Sequence, residues 1–346
     1  MKKLGICGHY AFRRDISNGQ TIKTKIITSE LEKYYGKNDI EKLDTYGGKI
    51  RFAIILLKMI FLIKNCENII IFPGKNGLRI LGPLIVFFNK IYQRNLNYIV
   101  IGGWLPEFVE KRNYIKKVLM QFNYIYVETD IMKKKLERFG IKNVVVMPNC
   151  KELKILKKEE LTFSSIEPLK LCTFSRVSEE KGIEYAINAV QEINKKYNKM
   201  VYTLDIFGQV EFEYRQKFRE LQKKFPDFIR YKGVIQFSES TNVLKEYYLL
   251  LFPTYYSGEG FAGTIIDAYS AGIAVLASDW RYNTEIIKNN KTGLIFKNRN
   301  LQDLINKLEE CYKNKNLIHS MKNECILEAK KYQTSNVITI LLNNLK

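Results

Sequence analysis

The sequence has few residues of the kinds that build metal sites and disulfide frameworks. It contains two histidines and six cysteines in 346 residues. The cysteines form no Cys-x-x-Cys pair and no spacing typical of a metal site, and they stand at positions 7, 66, 150, 172, 311 and 325. We therefore expect buried free thiols in a reducing compartment rather than a disulfide framework.

Apolar runs long enough to cross a bilayer are also missing. The two most apolar segments, 50–63 and 78–92, contain or border lysines and arginines and fall short of the ~18–20 residues that a membrane span needs. No secretory signal is visible, because Met1-Lys2-Lys3 leads directly into a predicted strand. The pattern predicts a cytoplasmic protein with two core helices. A helix lying on a membrane surface is the alternative for these segments.

Acidic residues are scarce in the first part of the chain. Residues 1–150 hold 26 lysines and arginines against 12 aspartates and glutamates, and they contribute +14 of the total formal charge of +20. This excess indicates an anionic partner such as lipid headgroups, a lipid-linked diphosphate or nucleic acid, unless it reflects a general lysine-rich composition. The sequence lacks an RNA-binding motif and a cluster of aromatic side chains for base stacking, so we expect no nucleic-acid partner.

Two phosphate-binding motifs are absent, and each absence excludes a kind of site. The predicted strand 4–7, the polar loop 11–18 and a helix from Gly19 follow the order of a dinucleotide-binding domain. The Gly-x-Gly-x-x-Gly fingerprint is missing, however, so we do not predict NAD binding. No Asp-x-Asp occurs in the sequence, which argues against a diphosphate bridged by a metal ion. We therefore predict no cofactor and no metal.

The most informative stretch, residues 248–279, predicts a strand, a glycine-rich loop, a helix and a second strand. Its first apolar run is short and continuous, as in a strand buried on both faces, and Pro253 ends it. We expect a helix from about Ala262 to Gly272, where a glycine typically ends a helix. The turn before this helix presents backbone N–H groups and the positive end of the helix dipole, which suits a phosphate.

Two carboxylates flank this predicted phosphate site. Glu259 lies in the loop, and Asp267 lies two turns into the helix, so both can face the same cleft. Carboxylates accept hydrogen bonds from hydroxyl groups, and together with a phosphate site they predict a site for a nucleotide sugar. The alternative is an ordinary strand–helix–strand unit with one acid that caps the helix.

The string Glu259-Gly260-Phe261 … Asp267 resembles the signature of retaining glycosyltransferases of family 4. That signature has two acids separated by seven residues, with Gly-Phe after the first, and its second acid is more commonly glutamate. The resemblance implies that Asp267 binds the ribose hydroxyls of the donor. It implies that Glu259 holds the sugar and its phosphate together with the amides that follow it, those of Gly260, Phe261 and Ala262.

A second motif of the same family follows the predicted strand Leu169–Phe174. Arg176 and Lys181 match the pair that binds the donor diphosphate in the family. Two fixed cations at this place would stabilise the charge that the leaving diphosphate gains in the transition state. The alternative is that both are solvated surface cations beside Glu179 and Glu180.

Turns after other predicted strands complete the implied donor site. Gly208 ends one strand, and Gly233 and Val234 follow the next, where the family contacts the nucleotide base mainly through the backbone. In the first domain, Gly19 and Gln20 best match the family loop that lies across the cleft from the donor phosphate and near the acceptor. A polar loop followed by an ordinary helix start is the alternative there.

The sequence departs from the family pattern in two places. Many members have a histidine near the turn at 102–106, whereas the histidines here are His9 and His319, so the resemblance does not supply a catalytic histidine and leaves open whether the first domain provides a catalytic base. Most members have Gly-Gly where Arg281-Tyr282 stands, which leaves the donor sugar open. Residues 280–285 instead resemble a subgroup that is tied to bacterial surface polysaccharides.

The resemblance implies the GT-B fold, an α/β architecture of two Rossmann-like domains with parallel sheets that face each other across a cleft. We predict an acceptor-side domain at 1–152 and a nucleotide-sugar domain at 165–320. A charged linker is expected at 151–168. The last segment, 321–346, is expected to be helical and to return to the first domain.

The implied function is retaining, metal-independent transfer of a hexose from a nucleotide diphosphate sugar to a hydroxyl of a glycan acceptor. The acceptor is expected to be lipid-linked, in the synthesis of a capsular polysaccharide or exopolysaccharide, with the basic first domain docked on the inner face of the cell membrane. A sugar-nucleotide epimerase of the same architecture and a non-catalytic, basic nucleic-acid-binding protein are the alternatives. The combination of the cation pair with the two acids argues against the epimerase.

Overall fold

A computed structural model describes residues 1–12, 19–46, 52–163 and 165–345. The chain forms two α/β units. The first unit comprises Met1–Glu152 and Gln333–Lys346, and the second comprises Leu153–Tyr332. Most of the predicted polar loop, residues 13–18, and the first two residues of the predicted helix 50–63 lie outside the described residues.

The first unit is built on a parallel sheet of six strands. These strands are β1 (Lys2–Gly8), β2 (Ile40–Asp44), β3 (Cys66–Ile71), β4 (Asn95–Ile99), β5 (Tyr124–Val127) and β6 (Val144–Val146). Their order across the sheet is β2-β1-β3-β4-β5-β6. The direction of winding therefore reverses between β1 and β3, and in this kind of sheet ligands bind at the carboxyl ends of such a strand pair.

Parallel strands need long crossover connections, which helices supply here. The helices of this part are α1 (Gly19–Tyr35), α2 (Phe52–Asn65), α3 (Lys75–Tyr92), α4 (Leu105–Glu110), α5 (Asn113–Leu119) and α6 (Asp130–Arg138). The hydroxyl of Thr129 caps α6 by accepting a hydrogen bond from the N–H of Met132 at 3.2 Å. The two apolar segments of the sequence thus form α2 and α3. Among the described helices, none has the length and apolarity that crossing a membrane requires.

The second unit repeats this architecture with a different winding. Its strands are β7 (Leu169–Phe174), β8 (Tyr202–Phe207), β9 (Ile229–Gly233), β10 (Leu249–Phe252), β11 (Ala274–Ser278) and β12 (Gly293–Phe296). The sheet order is β12-β11-β10-β7-β8-β9, and all the pairings are parallel. The chain starts at the centre, builds to one side and then to the other, so the reversal falls between β7 and β10.

Helices also connect the strands of the second unit. They are α7 (Ile183–Lys196), α8 (Arg215–Gln222), α9 (Ser240–Leu244), α10 (Gly263–Ser270), α11 (Asn283–Ile286), α12 (Leu301–Lys313) and α13 (Lys315–Ala329). The strand, loop, helix and strand expected at 248–279 form β10, α10 and β11. Gly272 follows the end of α10 in the left-handed region with φ +64°, where glycine is favoured.

The last helix, α14 (Thr334–Leu342), belongs to the first unit. Its side chains Val337, Ile338 and Leu341 are buried in the same apolar cluster as residues of β1 and α1. The segment predicted to return as a whole, 321–346, is therefore divided. Residues up to Tyr332 group with the second unit, and the remainder groups with the first.

The segment between the two predicted domains is packed against the second unit. Leu156 and Leu161 are buried in a small cluster with Ile326 of α13. The N–H of Leu156 donates to the carbonyl of Ser270, at the end of α10, at 3.0 Å. Two leucines in an otherwise charged stretch thus find apolar partners, and the second unit begins at Leu153 rather than at the expected residue 165.

All six cysteines are buried free thiols, as the sequence predicted.

The strand β2 and the short helices α4 and α5 were not predicted. β2 lies at the edge of its sheet, and its buried residues Ile40 and Leu43 are separated by two charged residues. An edge strand of this kind has no continuous apolar run to indicate it.

Candidate active site

Two loops meet at the carboxyl ends of the neighbouring strands β7 and β10. Residues 175–182 lead from β7 to α7, and residues 253–262 lead from β10 to α10. The N–H of Tyr255 donates to the carbonyl of Glu180 at 2.7 Å, which joins the loops through their backbones. Gly182, with φ +73°, makes this approach possible, because a Cβ there would lie 2.1 Å from the carbonyl oxygen of Pro253. The strand order therefore creates a single site from two distant stretches.

A buried ion pair links the same two loops through side chains. Nζ of Lys181 donates to Oε2 of Glu259 at 2.6 Å, and each side chain is 8% exposed. Oγ1 of Thr254 donates to the same carboxylate oxygen at 2.8 Å. The structure thus brings together a cation and an acid that lie in two separate sequence motifs. It gives the acid a second hydrogen bond, which a buried charge requires.

The second predicted cation, Arg176, lies beside the same tyrosine as Lys181. The guanidinium carbon of Arg176 and Nζ of Lys181 are each 5.1 Å from the ring centroid of Tyr256. Arg176 also forms an ion pair with Glu211, and its side chain remains 51% exposed. The carbonyl of Tyr256 accepts a hydrogen bond from Nε1 of Trp280 at 2.8 Å. Both cations therefore lie over the ring of Tyr256, beside the Lys181–Glu259 ion pair.

Helix α10 begins directly behind this loop. The residue that precedes it, at the N-cap position, is Ala262, whose side chain makes no capping hydrogen bond. The hydroxyl of Thr264 donates to the carbonyl of Phe174 and so fixes the first turn of α10 to the end of β7. Asp267, which is 3% exposed, lies one turn further along the helix. Gly260 and Phe261 are also buried, and the Phe261 ring packs edge-on against Tyr332 at 4.7 Å between centroids.

The predicted glycine turns lie next to the loop that follows β7. Gly208 has φ +132°, and a Cβ on it would lie 1.7 Å from the carbonyl oxygen of Ser175. The N–H of Gly208 donates to the carbonyl of Gly233 at 2.8 Å. Val234 follows with a side chain that is 67% exposed. The carboxyl ends of β7, β8 and β9 are therefore contiguous at this edge of the sheet.

Gly19 and Gln20 lie in the first unit, where they open α1. Nε2 of Gln20 donates to the carbonyl of Phe72 at 2.9 Å. This contact places Gln20 at the β1/β3 reversal of the first sheet. Within the described part of the chain, a Cβ on Gly19 would meet no atom within 4 Å.

Some polar residues of these two edges were not predicted as site residues. In the first unit, Nδ1 of His9 lies 2.7 Å from Oγ1 of Thr21, beside Gln20 in sequence. In the second unit, Thr254, Tyr256 and Glu211 contact the predicted ion-pair residues. Sequence spacing gave no signal for the contacts of Tyr256 and Glu211 with the predicted cations, because strand order brings these segments together.

The site at the carboxyl ends of β7 and β10 has groups that can bind an anion and groups that can bind several hydroxyls. Lys181 and Arg176 supply positive charge, and the uncapped first turn of α10 supplies backbone N–H groups. Glu259 and Asp267 are carboxylates that can accept hydrogen bonds from hydroxyl groups. Their burial strengthens such charge-assisted hydrogen bonds, because water competes less in a region of low dielectric.

Comparison with known proteins gives a family match over this unit. The family model for "Glycosyl transferases group 1" matches residues 157–331, about half of the chain. The match contains every candidate site residue of the second unit. Gly19 and Gln20 lie outside it.

Curated relatives share part of the sequence. The UDP-N-acetylglucosamine--peptide N-acetylglucosaminyltransferase GtfA subunit of Streptococcus agalactiae is 35% identical over 128 residues, 36% of this chain and 24% of the relative. The GtfA subunit of Streptococcus pneumoniae serotype 4 is 24% identical over 276 residues, 76% of this chain and 51% of the relative. The chain thus spans at most about half the length of these relatives.

A solved structure shares the whole fold. The Anabaena Alr3699/HepE structure in complex with UDP has a TM-score of 0.77 at 13% identity, and the match covers 100% of this chain and 99% of that one. At this identity the likeness shows the fold alone. It confirms the predicted GT-B fold, with its two parallel-sheet domains.

We predict that Lys181 and Glu259 depend on each other for stability. Lys181→Met or Glu259→Gln alone leaves a buried charge without its counter-ion, which should lower the free energy of unfolding by about 3–5 kcal/mol. The double variant removes both charges and should cost clearly less than the sum of the two. Urea unfolding of the four proteins measures the coupling.

Lys217→Met is the matched control for this cycle. Lys217 pairs with Glu184 at 2.7 Å on the surface, with its side chain 49% exposed, and such exposed pairs contribute about 1 kcal/mol or less. Additive effects of the Lys181 and Glu259 substitutions, or losses as small as that of the control, would contradict a coupled buried pair.

Proposed function

The chain belongs to the glycosyl transferases group 1 family, and from this premise we propose that it is a retaining glycosyltransferase of family 4. It moves a hexose from a nucleotide diphosphate sugar to a hydroxyl of a glycan acceptor. The observation that carries this proposal is the joining of the two family motifs by the Lys181–Glu259 ion pair at the β7/β10 reversal. Neither an ordinary capped helix nor a pair of solvated cations requires that contact.

In this proposal the donor diphosphate binds between the first turn of α10 and the cations Arg176 and Lys181. The leaving nucleoside diphosphate gains negative charge as the glycosidic bond breaks, and cations already held in place stabilise it without reorganisation. Arg176 is half exposed, so it can turn from Glu211 to the phosphate. Lys181 is buried beside Glu259 and can contact both the phosphate and the acid.

The two acids then act on different parts of the donor. Glu259 precedes α10, so its carboxylate meets sugar hydroxyls beside the amides of Gly260, Phe261 and Ala262. Asp267 lies deeper and accepts hydrogen bonds from the ribose hydroxyls. Because aspartate is one methylene shorter than the glutamate common in the family, the ribose binds closer to the helix or through a bridging water. Gly208, Gly233 and Val234 line the place of the base.

We propose UDP as the nucleotide and a hexose such as N-acetylglucosamine as the first sugar to test. The streptococcal relatives are named for transfer from UDP-N-acetylglucosamine, and the Anabaena structure contains UDP. In the first unit, Gly19 and Gln20 contact the acceptor side of the reaction. The substitution takes place on one face of the sugar, and a donor phosphate oxygen helps to remove the acceptor proton.

The acceptor is proposed to be a lipid-linked glycan in surface polysaccharide synthesis, reached from the cytoplasmic face of the membrane. Support comes from α2 and α3, which pack against each other in the first unit. Each has three apolar side chains on one face that are half exposed or more: Ile54, Leu57 and Phe61 on α2, and Ile80, Phe87 and Ile91 on α3. We call these six residues the apolar helix face.

The charge of the two helices favours an anionic membrane as the occupant of this face. The sequences of α2 and α3 contain lysine and arginine but no acidic residue. Exposed apolar side chains would enter the headgroup boundary, while the cations would pair with anionic lipids. A nucleic acid would meet the cations but leave the apolar face uncovered.

The first experiment is a transfer assay with a panel of nucleotide sugars, read by mass spectrometry, with a lipid-linked oligosaccharide as acceptor. We expect turnover to survive EDTA, because Arg176 and Lys181 take the part that a metal ion would otherwise play. The anomeric configuration should be retained in the product by NMR. Turnover that is lost in EDTA and restored only by Mn²⁺ or Mg²⁺ would contradict metal independence, and no turnover of any donor would contradict the function.

The division of roles between the acids gives a second prediction. Asp267→Asn keeps the shape but removes the charge, and charged hydrogen bonds contribute about 1.5–3 kcal/mol, so UDP binding should weaken about ten-fold or more. Glu259→Gln should leave UDP affinity undiminished, because Lys181 still faces the diphosphate, and should lower turnover of the intact donor. Calorimetry and kinetics measure the two effects, with Asp227→Asn as the control outside the site. Equal losses of UDP affinity in the two variants would show that the assignment is wrong.

Membrane docking gives a third prediction. Anionic vesicles should sediment the protein at low salt and release it at high salt, because salt screens the attraction to the headgroups. Leu57→Ser combined with Phe87→Ser should reduce binding at least about ten-fold, since burial of each side chain contributes about 1.5–3 kcal/mol. The control is Tyr34→Ser, which changes an exposed aromatic residue on α1. Equal binding to neutral vesicles, or the same loss in the control, would count against this surface.

A further inference from the structure

A cavity of about 870 Å³ lies against one face of the second sheet. Its wall includes Thr203, Asp205 and Phe207, which alternate along β8 and so share one face of the sheet. Tyr202 of the same strand points the other way, since its hydroxyl donates to the carbonyl of Leu308 in α12 at 2.9 Å. None of the candidate donor-binding residues lines this cavity, and Phe207 and Ile235 in its wall are the chain neighbours of Gly208 and Val234.

The cavity contains a buried lysine that lacks a counter-ion. Lys322 of α13 lines the wall and is 2% exposed. Among the described residues, none forms a hydrogen bond or an ion pair with its ammonium group. Burial lowers the pKa of Lys322 to about 8, although the charge of Glu246 opposes this shift. A buried cation in this state is costly, and a bound anion would offset that cost.

Two of the three acids in the same wall already have partners, and the third, Glu246, is exposed. Oδ2 of Asp205 accepts a hydrogen bond from the hydroxyl of Tyr247 at 2.7 Å. The carboxylate of Glu167 is held by Lys199 at 2.7 Å and by Lys315 at 3.1 Å. Lys322 is therefore the charged group of the inner wall that an incoming ligand can pair with.

The other residues of the wall indicate which shape and charge a ligand would need. Phe207, Ile235 and Tyr248 supply apolar and aromatic surface. Lys170, Arg230 and Lys232 are exposed at the rim and add positive charge. The volume falls in the range of small-molecule sites. Cations around an apolar wall favour a doubly charged group on a small ring over a single carboxylate.

We propose that this cavity is a second ligand site, which binds a small organic phosphate monoester with its phosphate on Lys322 and its ring against the aromatic wall. The phosphate displaces no protein partner of Lys322. It forms an ion pair with the buried Lys322 and is also attracted by the exposed cations at the rim. The site does not depend on the proposed transferase reaction, because it shares no residue with the donor site.

Phenyl phosphate is the probe, and isothermal titration calorimetry with and without UDP is the measurement. The same affinity is expected in both cases, because the two sites are separate. Benzoate should bind more weakly than phenyl phosphate, and benzyl alcohol should not bind. Competition by UDP would overturn the proposal by assigning phenyl phosphate to the donor site, and tighter binding of benzoate would overturn the choice of a phosphate.

Lys322→Met gives a signature that a structural lysine would not give. It removes the buried charge and keeps an apolar stem, so the ligand-free variant should unfold at a higher temperature than the wild type. Phenyl phosphate should raise the unfolding temperature of the wild type and not that of the variant, and its affinity should fall at least about ten-fold. Lys313→Met, a change at an exposed lysine of α12 outside the cavity, should leave both readouts unchanged.

Proton uptake tests the same contact in the wild type alone. A bound phosphate favours the charged amine and raises the pKa of Lys322, so binding near pH 8 should take up protons. Titrations in two buffers of different ionisation enthalpy measure this uptake, even if Lys322→Met does not fold. Binding without proton uptake, or no binding of phenyl phosphate at millimolar concentration, would overturn the proposal.

Discussion

The second unit depends on one interaction, the buried ion pair between Lys181 and Glu259. The strand order places the loops after β7 and β10 side by side, and the close approach of Gly182 to Pro253 lets them touch. The ion pair then fixes a cation and an acid 2.6 Å apart at the carboxyl edge of the sheet. Arg176, Tyr256 and the start of α10 are arranged around this pair, so the chemistry of the site follows from the topology of the sheet.

Much of the fold could be predicted from the sequence, because buried parallel strands appear as short continuous apolar runs ended by glycine or proline. Motif spacing and family resemblance pointed to Glu259, Asp267, Arg176 and Lys181, and these residues lie in the loops after β7 and β10 or in the helix α10. The edge strand β2 could not be predicted, since it has no continuous apolar run and no regular alternation. The contacts of Tyr256 and Glu211 could not either, because they join segments that only the sheet order brings together.

The described chain contains three buried lysines, which differ in whether an acid pairs with them. Lys23 pairs with Glu128 at 2.6 Å in the first unit, and Lys181 pairs with Glu259 at the same distance in the second. Lys322 has no such partner and lines a cavity instead. A paired buried lysine holds two elements together, whereas an unpaired one favours an anionic ligand. The same physical rule thus supports the site at the carboxyl edge of the sheet and the second site against its face.

The most direct test is a crystal structure of the protein with bound UDP or a UDP-sugar. We expect diphosphate oxygens within hydrogen-bond distance of the Lys181 ammonium and the Arg176 guanidinium, with the ribose hydroxyls bound to Asp267. In a UDP-sugar complex the sugar should contact Glu259. A nucleotide bound away from the loops after β7 and β10, or a diphosphate held by a metal ion without contact to either cation, would contradict the account.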